Sequence, residues 1–343
     1  VDRRQRQMCI RDSLNLTAYS GPYMKEKYDE TSNTYTLVKN PNYVGNYEGQ
    51  KPYIDTIIYK FVQPETQMDE LNTGGVDILL HLGEGTEINS GMDLVDKGTH
   101  GYVEYPRNGY GKLVFVCDRG PTQYVEVRHA IGYLLDRNEF AKTFTGGHGS
   151  VVNGNYGLAQ WMVEAREDEI GALNQYSFSL DNAIAELEKA GFTLDKDGKP
   201  YKSGLRYKKL DNGKLMPLII NWCSSENNPV SDLLATKLAN SEDVKKAGME
   251  IKQNVVTFNE LIENYGQTKK NDYNMYNMGV GFSAIYNPEF SYAIGNPQNT
   301  NRISDKELAK LAKNLNVVDP SNEKEYLDRY VKFQQKWNEL LPD

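Results

Sequence analysis

The spacing of apolar residues after residue 110 predicts strands that alternate with helices. Continuous or alternating apolar runs predict strands at 113–117, 218–223, 249–257 and 273–279. Apolar residues at helical spacing predict helices at 125–144, 180–190, 229–248, 259–265, 304–316 and 322–340. Such alternation indicates an α/β domain with helices packed on a sheet.

The chain before residue 110 has a different pattern, with shorter and more scattered apolar segments. Alternating and β-branched residues predict strands at 34–38 and 54–62, and a short apolar run predicts a buried strand at 76–80. A short helix is expected at 66–71, and the glycine-rich segment 83–101 gives no firm assignment.

Length and charge exclude several classes of protein. The chain has 343 residues, which suggests about two domains. Lys and Arg total 39 against 47 Asp and Glu, so there is no basic surface for nucleic acid. No apolar run approaches the roughly 18 residues that a membrane helix needs. Tyrosine is abundant, with 24 residues, and its ring with a polar tip suits recognition surfaces.

The two ends of the sequence do not resemble the rest. Residues 1–13 contain four arginines and no continuous apolar stretch, so they are not a signal peptide. We interpret them as a non-native leader and exclude them from the fold. The last predicted helix is followed only by Leu341, Pro342 and Asp343, where another element is expected. The sequence is therefore expected to be a fragment at both ends.

No motif in the sequence indicates catalysis, a metal site or a cofactor. The four histidines lack the spacing of a zinc hydrolase, and Cys9, Cys117 and Cys223 form no C-x-x-C pair. Cys117 and Cys223 end apolar runs, which is typical of buried structural cysteines. The segments 145–150 and 195–199 lack the residues of a phosphate loop and a calcium loop, and 195–216 is expected to form hairpin turns. Paired carboxylates that meet only in space remain possible.

Aromatic residues cluster between 273 and 292, around the end of a predicted strand and the turn after it. Ligands of open α/β sheets bind near the carboxyl ends of the strands. Aromatic faces with a few amides and hydroxyls would form the wall of a binding pocket. The alternative is an ordinary loop packed by its own rings. Trp161, in a loop farther back, is a similar candidate.

The order of several short motifs resembles the family 5 extracellular solute-binding proteins, the oligopeptide- and dipeptide-type receptors of ABC importers. The segments 20–23 and 37–43 resemble that family's G-T-G-P-Y and R-N-P-x-Y motifs. Similar matches follow in the family's order at 51–57, 71–77, 111–128, 135–137, 146–147, 180–192 and 272–275. Each match is short, but together they span about residues 14 to 340.

This resemblance implies a periplasmic-binding-protein type II fold, in which two α/β lobes close over a solute that is then delivered to a membrane permease. Residues 14–112 would be the remainder of an incomplete lobe one, and 113–343 would be lobe two, truncated before its return to lobe one. Such receptors are monomers without enzymatic activity, extracellular or periplasmic, and often lipid-anchored. A chain lacking half of one lobe is expected to bind its solute poorly.

The chain departs from the family at the expected ligand site. Where the peptide receptors carry an Asp that pairs with the α-ammonium of the ligand, this chain has Ser283-Ala284 in a loop one residue longer. The loss removes a charge-assisted hydrogen bond, unless Glu289 or another carboxylate replaces it. At the end of the strand predicted at 113–117, the family has Phe-Asn where this chain has Val116-Cys117. The predicted solute-binding residues are Trp161, Tyr276, Asn277, Phe282, Ser283 and Tyr286.

Three functions remain open from the sequence. The first is a solute receptor of an ABC importer, whose ligand could be a peptide, a sugar, a nickel chelate or another small solute. The second is a secreted hydrolase of peptide or glycan that uses carboxylates assembled in space. The third is a surface adhesin or chaperone on the same fold.

Overall fold

The structure is a computed structural model that describes residues 18–63, 65–268, 270–283, 285–319 and 321–343. The predicted leader at 1–13, together with Cys9, lies outside these residues. The described chain divides into two compact units, one of residues 18–83 and 90–100 and the other of 84–89 and 101–343. The predicted lobe boundary at residue 112 stays a prediction.

The first unit contains an antiparallel three-stranded sheet with the strands in chain order. Its strands are β1 (Tyr23–Asp29), β2 (Thr34–Lys39) and β3 (Thr56–Lys60). The predicted strands at 34–38 and 54–62 are confirmed, and so is the short helix, α1 (Gln67–Asn72). The segment 83–101 contains α2 (Gly85–Asp96), which the sequence left unassigned.

The predicted buried strand at 76–80 is wrong. These residues form no strand, and the side chains of Ile78 and Leu80 are 70% and 58% exposed. A strand is stable only when its backbone groups pair with a neighbour, and no described strand lies beside this run. An apolar run by itself does not supply that neighbour.

The second unit is built on a mixed four-stranded sheet, which confirms the α/β class. Its strands are β4 (Gly109–Phe115), β7 (Ile219–Ser225), β8 (Glu250–Val256) and β9 (Met275–Gly281), in the order β4-β9-β7-β8. The strand β7 pairs in parallel with β8 and β9, and β4 is antiparallel to β9. The predicted hairpin is confirmed as β5 (Tyr207–Lys209) and β6 (Leu215–Pro217).

Helices account for most of the remaining regular structure of the second unit. They are α3 (Val125–Leu134), α4 (Arg137–Thr145), α5 (Trp161–Ala165), α6 (Glu167–Gly171), α7 (Leu180–Lys189), α8 (Pro229–Leu234), α9 (Glu242–Lys246), α10 (Phe258–Tyr265), α11 (Glu289–Tyr292), α12 (Lys306–Asn314) and α13 (Glu323–Leu340). No helix of the described residues is both long and apolar enough to span a bilayer.

Two predicted long helices are interrupted, and in each case a capping side chain explains the break. The helix predicted at 125–144 ends at Leu134, because Leu135 is extended and the Asp136 carboxylate accepts a hydrogen bond from the Glu139 amide at 3.0 Å. The helix predicted at 229–248 is three pieces, α8, a π-helical turn and α9, and Ser241 caps the last.

The core of the second unit forms where α3, α7 and α8 pack on the sheet. Trp222, Ile220 and Phe192 are fully buried there. The buried Arg128 guanidinium donates to the carbonyl oxygens of Leu340 and Leu341, each at 3.0 Å from Nε, and so ties α3 to the end of α13. Arg128, the last residue of the matched segment 111–128, therefore has a structural role in this chain.

Candidate functional site

The predicted site residues on β9 point to opposite faces of the sheet, because side chains alternate along a strand. Tyr276 is fully buried, and its hydroxyl donates to the carbonyl oxygen of Asn264 at 3.1 Å. Asn277 lies on the other face, where its Oδ1 accepts from Trp222 Nε1 at 3.0 Å and its Nδ2 donates to Ser231 Oγ at 3.0 Å. Both side chains are satisfied inside the unit, so their contact with a solute stays a prediction.

The loop after β9 brings two other predicted residues together. The half-buried Phe282 ring lies between the rings of Tyr110 and Tyr286, at centroid distances of 5.8 and 5.7 Å. Ser283 is exposed beside it, and its Oγ donates to the carbonyl oxygen of Ile285 at 2.5 Å. Ala284 lies outside the described residues. The accessible part of the predicted site is therefore the Phe282–Ser283 turn.

Tyr286 belongs to the interior, beneath this turn. Its hydroxyl proton is shared between two acceptors of Asn155, the carbonyl oxygen at 2.7 Å and Oδ1 at 2.8 Å. Gln334 Nε2 donates to the same carbonyl at 2.9 Å, and the Asn155 amide donates to Gln334 Oε1 at 2.8 Å. Burial raises the pKa of Tyr286 well above its ordinary value, so the hydroxyl stays neutral. Tyr286 therefore fits the alternative of an ordinary loop that is packed by its own rings.

Sequence reasoning missed Asn155 and Gln334, which hold the aromatic loop in place. Asn155 Nδ2 also donates to the hydroxyls of Tyr110 and Tyr292, at 3.2 and 3.1 Å. The two residues are 179 positions apart, and an asparagine in a Gly-Asn-Tyr-Gly loop reads as turn chemistry. No local signal marks them as partners.

Trp161 lies at the start of α5, in a separate aromatic pair. Its side chain is 49% exposed and stacks on Tyr326 of α13, with ring centroids 5.9 Å apart and an interplanar angle of 21°. An exposed indole held flat by a second ring presents one apolar face to solvent. Its solute-binding role stays a prediction.

Glu289, which could replace the family's aspartate, is engaged locally. Its Oε2 accepts a hydrogen bond from Asn316 Nδ2 at 2.8 Å, and the same amide reaches Asn287 Oδ1 at 2.8 Å. A role in binding a ligand ammonium stays a prediction. Across the described residues, no group of three or more His, Cys, Asp or Glu side chains is arranged to hold a metal ion.

A cavity of about 570 Å³ lies in the second unit between α4 and two loops. Its wall includes Arg137, whose guanidinium donates to the carbonyl oxygen of Val152 at 3.2 Å and to Asn153 Oδ1 at 2.9 Å. None of the six predicted site residues lines this cavity. The sequence pattern of the glycine-rich segment 145–150, at the rim of this cavity, predicts only a loop.

The edge of β9 that faces β7 is only partly covered. The pairing with β7 includes Met275 and Tyr276 alone, whereas the pairing with β4 continues to Gly281. Beyond Tyr276, no strand of the described chain pairs with this edge of β9. The open stretch leads directly into the Phe282–Ser283 turn.

The pattern of hydrogen bonds between β4 and β9 decides which backbone groups of β9 face its open edge. The Phe282 amide donates to the carbonyl oxygen of Asn108 at 2.8 Å, so even-numbered residues at this end of β9 direct their polar backbone groups to β4. By alternation, Gly279 and Gly281 direct theirs to the other side. Both glycines are exposed, which leaves donors and acceptors accessible to an extended ligand.

Solved structures with the same fold are bacterial binding proteins. The oligopeptide-binding protein AppA from Bacillus subtilis, solved with a nonapeptide, has a TM-score of 0.70 and 21% identity, over 94% of this chain and 59% of that chain. Lactococcal OppA, solved with a peptide, has a TM-score of 0.71 and 19% identity, over 94% and 58%. NikA from Brucella suis, solved with Fe(III)-EDTA, has a TM-score of 0.68 and 18% identity, over 93% and 60%.

These similarities confirm the expected type II binding-protein fold, and the chain spans less than two thirds of the length of each of these solved proteins. No curated protein sequence matches this one significantly. The model of the bacterial extracellular solute-binding proteins, family 5, middle region, matches residues 11–302. The chain therefore belongs to the family 5 bacterial extracellular solute-binding proteins.

Proposed function

We propose that the protein is the solute receptor of an ABC importer and that it captures an extended solute, such as a peptide, along the open edge of β9. The observation that carries this proposal is the exposed backbone of Gly279 and Gly281, next to the Phe282–Ser283 turn, in a chain of this family. The receptor acts as a monomer outside the cytoplasmic membrane and delivers its solute to a permease.

An open sheet edge recognises a peptide through the backbone. A ligand strand placed there continues the ladder, so main-chain hydrogen bonds supply affinity that does not depend on the ligand's sequence. The glycines carry no side chains that would keep a ligand away from the edge. The Phe282 ring and the exposed face of Trp161 are the apolar groups that we assign to the ligand's side chains.

The buried members of the predicted site have a supporting role in this proposal. Tyr276, Asn277 and Tyr286 fix β9 and the loop after it through hydrogen bonds inside the unit. A binding edge that is already rigid loses less conformational entropy when the ligand binds. Recognition is therefore assigned to the backbone edge and the exposed rings, and rigidity to the three buried side chains.

The test starts from the complete gene product, purified from its native host and released into denaturant, with any bound solute identified by mass spectrometry. Peptides that co-purify support the proposal, and a bound sugar or metal chelate contradicts the peptide assignment. In parallel, the purified protein is incubated with tri- to hexapeptides. Intact peptides are expected, because a receptor performs no chemistry, whereas cleavage products would support the hydrolase alternative.

The contribution of the indole is tested with Trp161→Ala, measured by isothermal titration calorimetry with a peptide that co-purifies. The control is Phe258→Ala, which removes another exposed aromatic side chain from the same unit. Affinity is expected to fall about tenfold for the first variant and to stay unchanged for the second. Equal affinities would remove Trp161 from the site.

A further inference from the structure

Arg107 is an exposed cation whose guanidinium lies beside Gly279 of β9, and no residue that the structure describes pairs with it. Its Nη2 lies 3.6 Å from the position that a β-carbon on Gly279 would occupy. No hydrogen bond or ion pair joins its guanidinium to any residue that the structure describes. Arg107 comes just before β4, and β4 pairs with β9 through Gly111 and Gly279.

Most other arginines in the described chain are engaged, which sets Arg107 apart. Arg128 and Arg206 bond carbonyl oxygens in the interior, and Arg166 and Arg329 pair with carboxylates. An arginine stays protonated at every physiological pH and presents a planar set of donors that matches a carboxylate. Arg107 keeps that capacity unused beside the proposed ligand.

We infer that Arg107 selects solutes that carry a carboxylate, and that the preferred ligand is an acidic peptide. This inference rests on the proposed function, because it needs an extended ligand on β9. A peptide paired with the edge at Gly279 brings a side chain of every second residue toward the same face of the sheet. An Asp or Glu side chain placed beside Gly279 is within reach of the guanidinium.

The local charge around Arg107 favours this selection. The acidic residue nearest in the chain, Glu104, lies beside His148 instead, with its Oε1 3.9 Å from Nδ1. A charge-assisted hydrogen bond is roughly twice as strong as a neutral one, which makes the ligand carboxylate a strong discriminator.

The experiment compares two matched tetrapeptides, Ala-Ala-Glu-Ala and Ala-Ala-Gln-Ala, both amidated at the C-terminus so that only one carboxylate differs. Affinities for the complete gene product are measured by isothermal titration calorimetry at low salt. The variants are Arg107→Gln and Arg107→Lys, and the control is Lys196→Gln, which removes an exposed cation from the turn between Leu194 and Pro200. Circular dichroism confirms that each variant is folded.

The wild-type protein is expected to bind the Glu peptide about 10- to 100-fold more tightly than the Gln peptide. Arg107→Gln should abolish that preference and leave the affinity for the Gln peptide unchanged, while Lys196→Gln keeps the preference. Arg107→Lys should retain only part of it, since an ammonium makes no bidentate pair.

Failure of the inference and failure of the proposed function give different results. If both peptides bind equally, or if Arg107→Gln keeps the preference, the role of Arg107 is refuted while peptide capture stands. If neither tetrapeptide binds the folded wild-type protein, and peptides of greater length do not bind either, then peptide capture is refuted and the inference is refuted with it.

Discussion

The substitution Tyr286→Phe tests the hydrogen-bond network beneath the aromatic loop. It removes one oxygen atom from a fully packed position, so the ring stays and no cavity of ring size forms. The lost hydroxyl donates to Asn155 and accepts from Gln334 Nε2 at 3.2 Å. Gln334 still has the Asn155 carbonyl as acceptor at 2.9 Å, whereas Asn155 Oδ1 loses the donor at 2.8 Å.

One buried acceptor without a partner sets the size of the effect. Leaving a buried polar atom unsatisfied costs about 1 to 3 kcal/mol, and the retained bond of Gln334 places the expected loss at about 1 to 2 kcal/mol. For a unit of this size, that loss lowers the melting temperature by about 2 to 8 °C. Urea denaturation followed by far-UV circular dichroism measures the free energy of unfolding directly.

The matched control is Tyr326→Phe, which removes a partly buried hydroxyl that bonds to no residue of the described chain. This control is expected to change the free energy of unfolding by less than about 0.5 kcal/mol. Equal losses for Tyr286→Phe and Tyr326→Phe would refute the reasoning, because the network would then contribute nothing beyond the packing of the rings.

Two further predictions follow from single side chains of the second unit. Burial raises the pKa of the Cys223 thiol to about 12, so the native protein holds almost no thiolate there at pH 8. Iodoacetamide should therefore modify Cys223, detected in its tryptic peptide, only after the protein is unfolded in urea, and rapid modification of the native protein would contradict this. Asp136→Ala should lower the free energy of unfolding by about 1 kcal/mol, because the Glu139 amide loses its cap. Asp136→Asn should retain most of the wild-type stability, because its side-chain oxygen still accepts from that amide, and equal urea midpoints for the two variants would contradict the capping role.

The sequence determined the elements whose pattern is local. The alternation of side chains on 34–38 and the helical spacing on 322–340 identified a strand and a helix, because each pattern needs only one face to be buried. The turn residues of 195–216 identified a hairpin, because their backbone preferences are also local. The order of short motifs identified the family, and its model match confirms this.

The tertiary structure alone decided where these elements end and which side chains are accessible. The run at 76–80 is apolar, but no described strand pairs with it, and the helix expected at 125–144 is divided where Asp136 prefers to cap. Strand pairing and helix capping each require two groups that meet in the folded chain, and a local sequence pattern shows the preference of only one of these groups.

The same distinction applies to the candidate site. The sequence located the aromatic cluster but placed Tyr276 and Asn277 on one surface, although neighbours on a strand face opposite ways. Burial of Tyr286 depends on Asn155 and Gln334, which are far apart in the chain. The open edge at Gly279 and Gly281 exists because β7 stops pairing with β9 after Tyr276. Where one strand outlasts its neighbour is a property of the whole sheet, so the backbone of the proposed site could be found only in three dimensions.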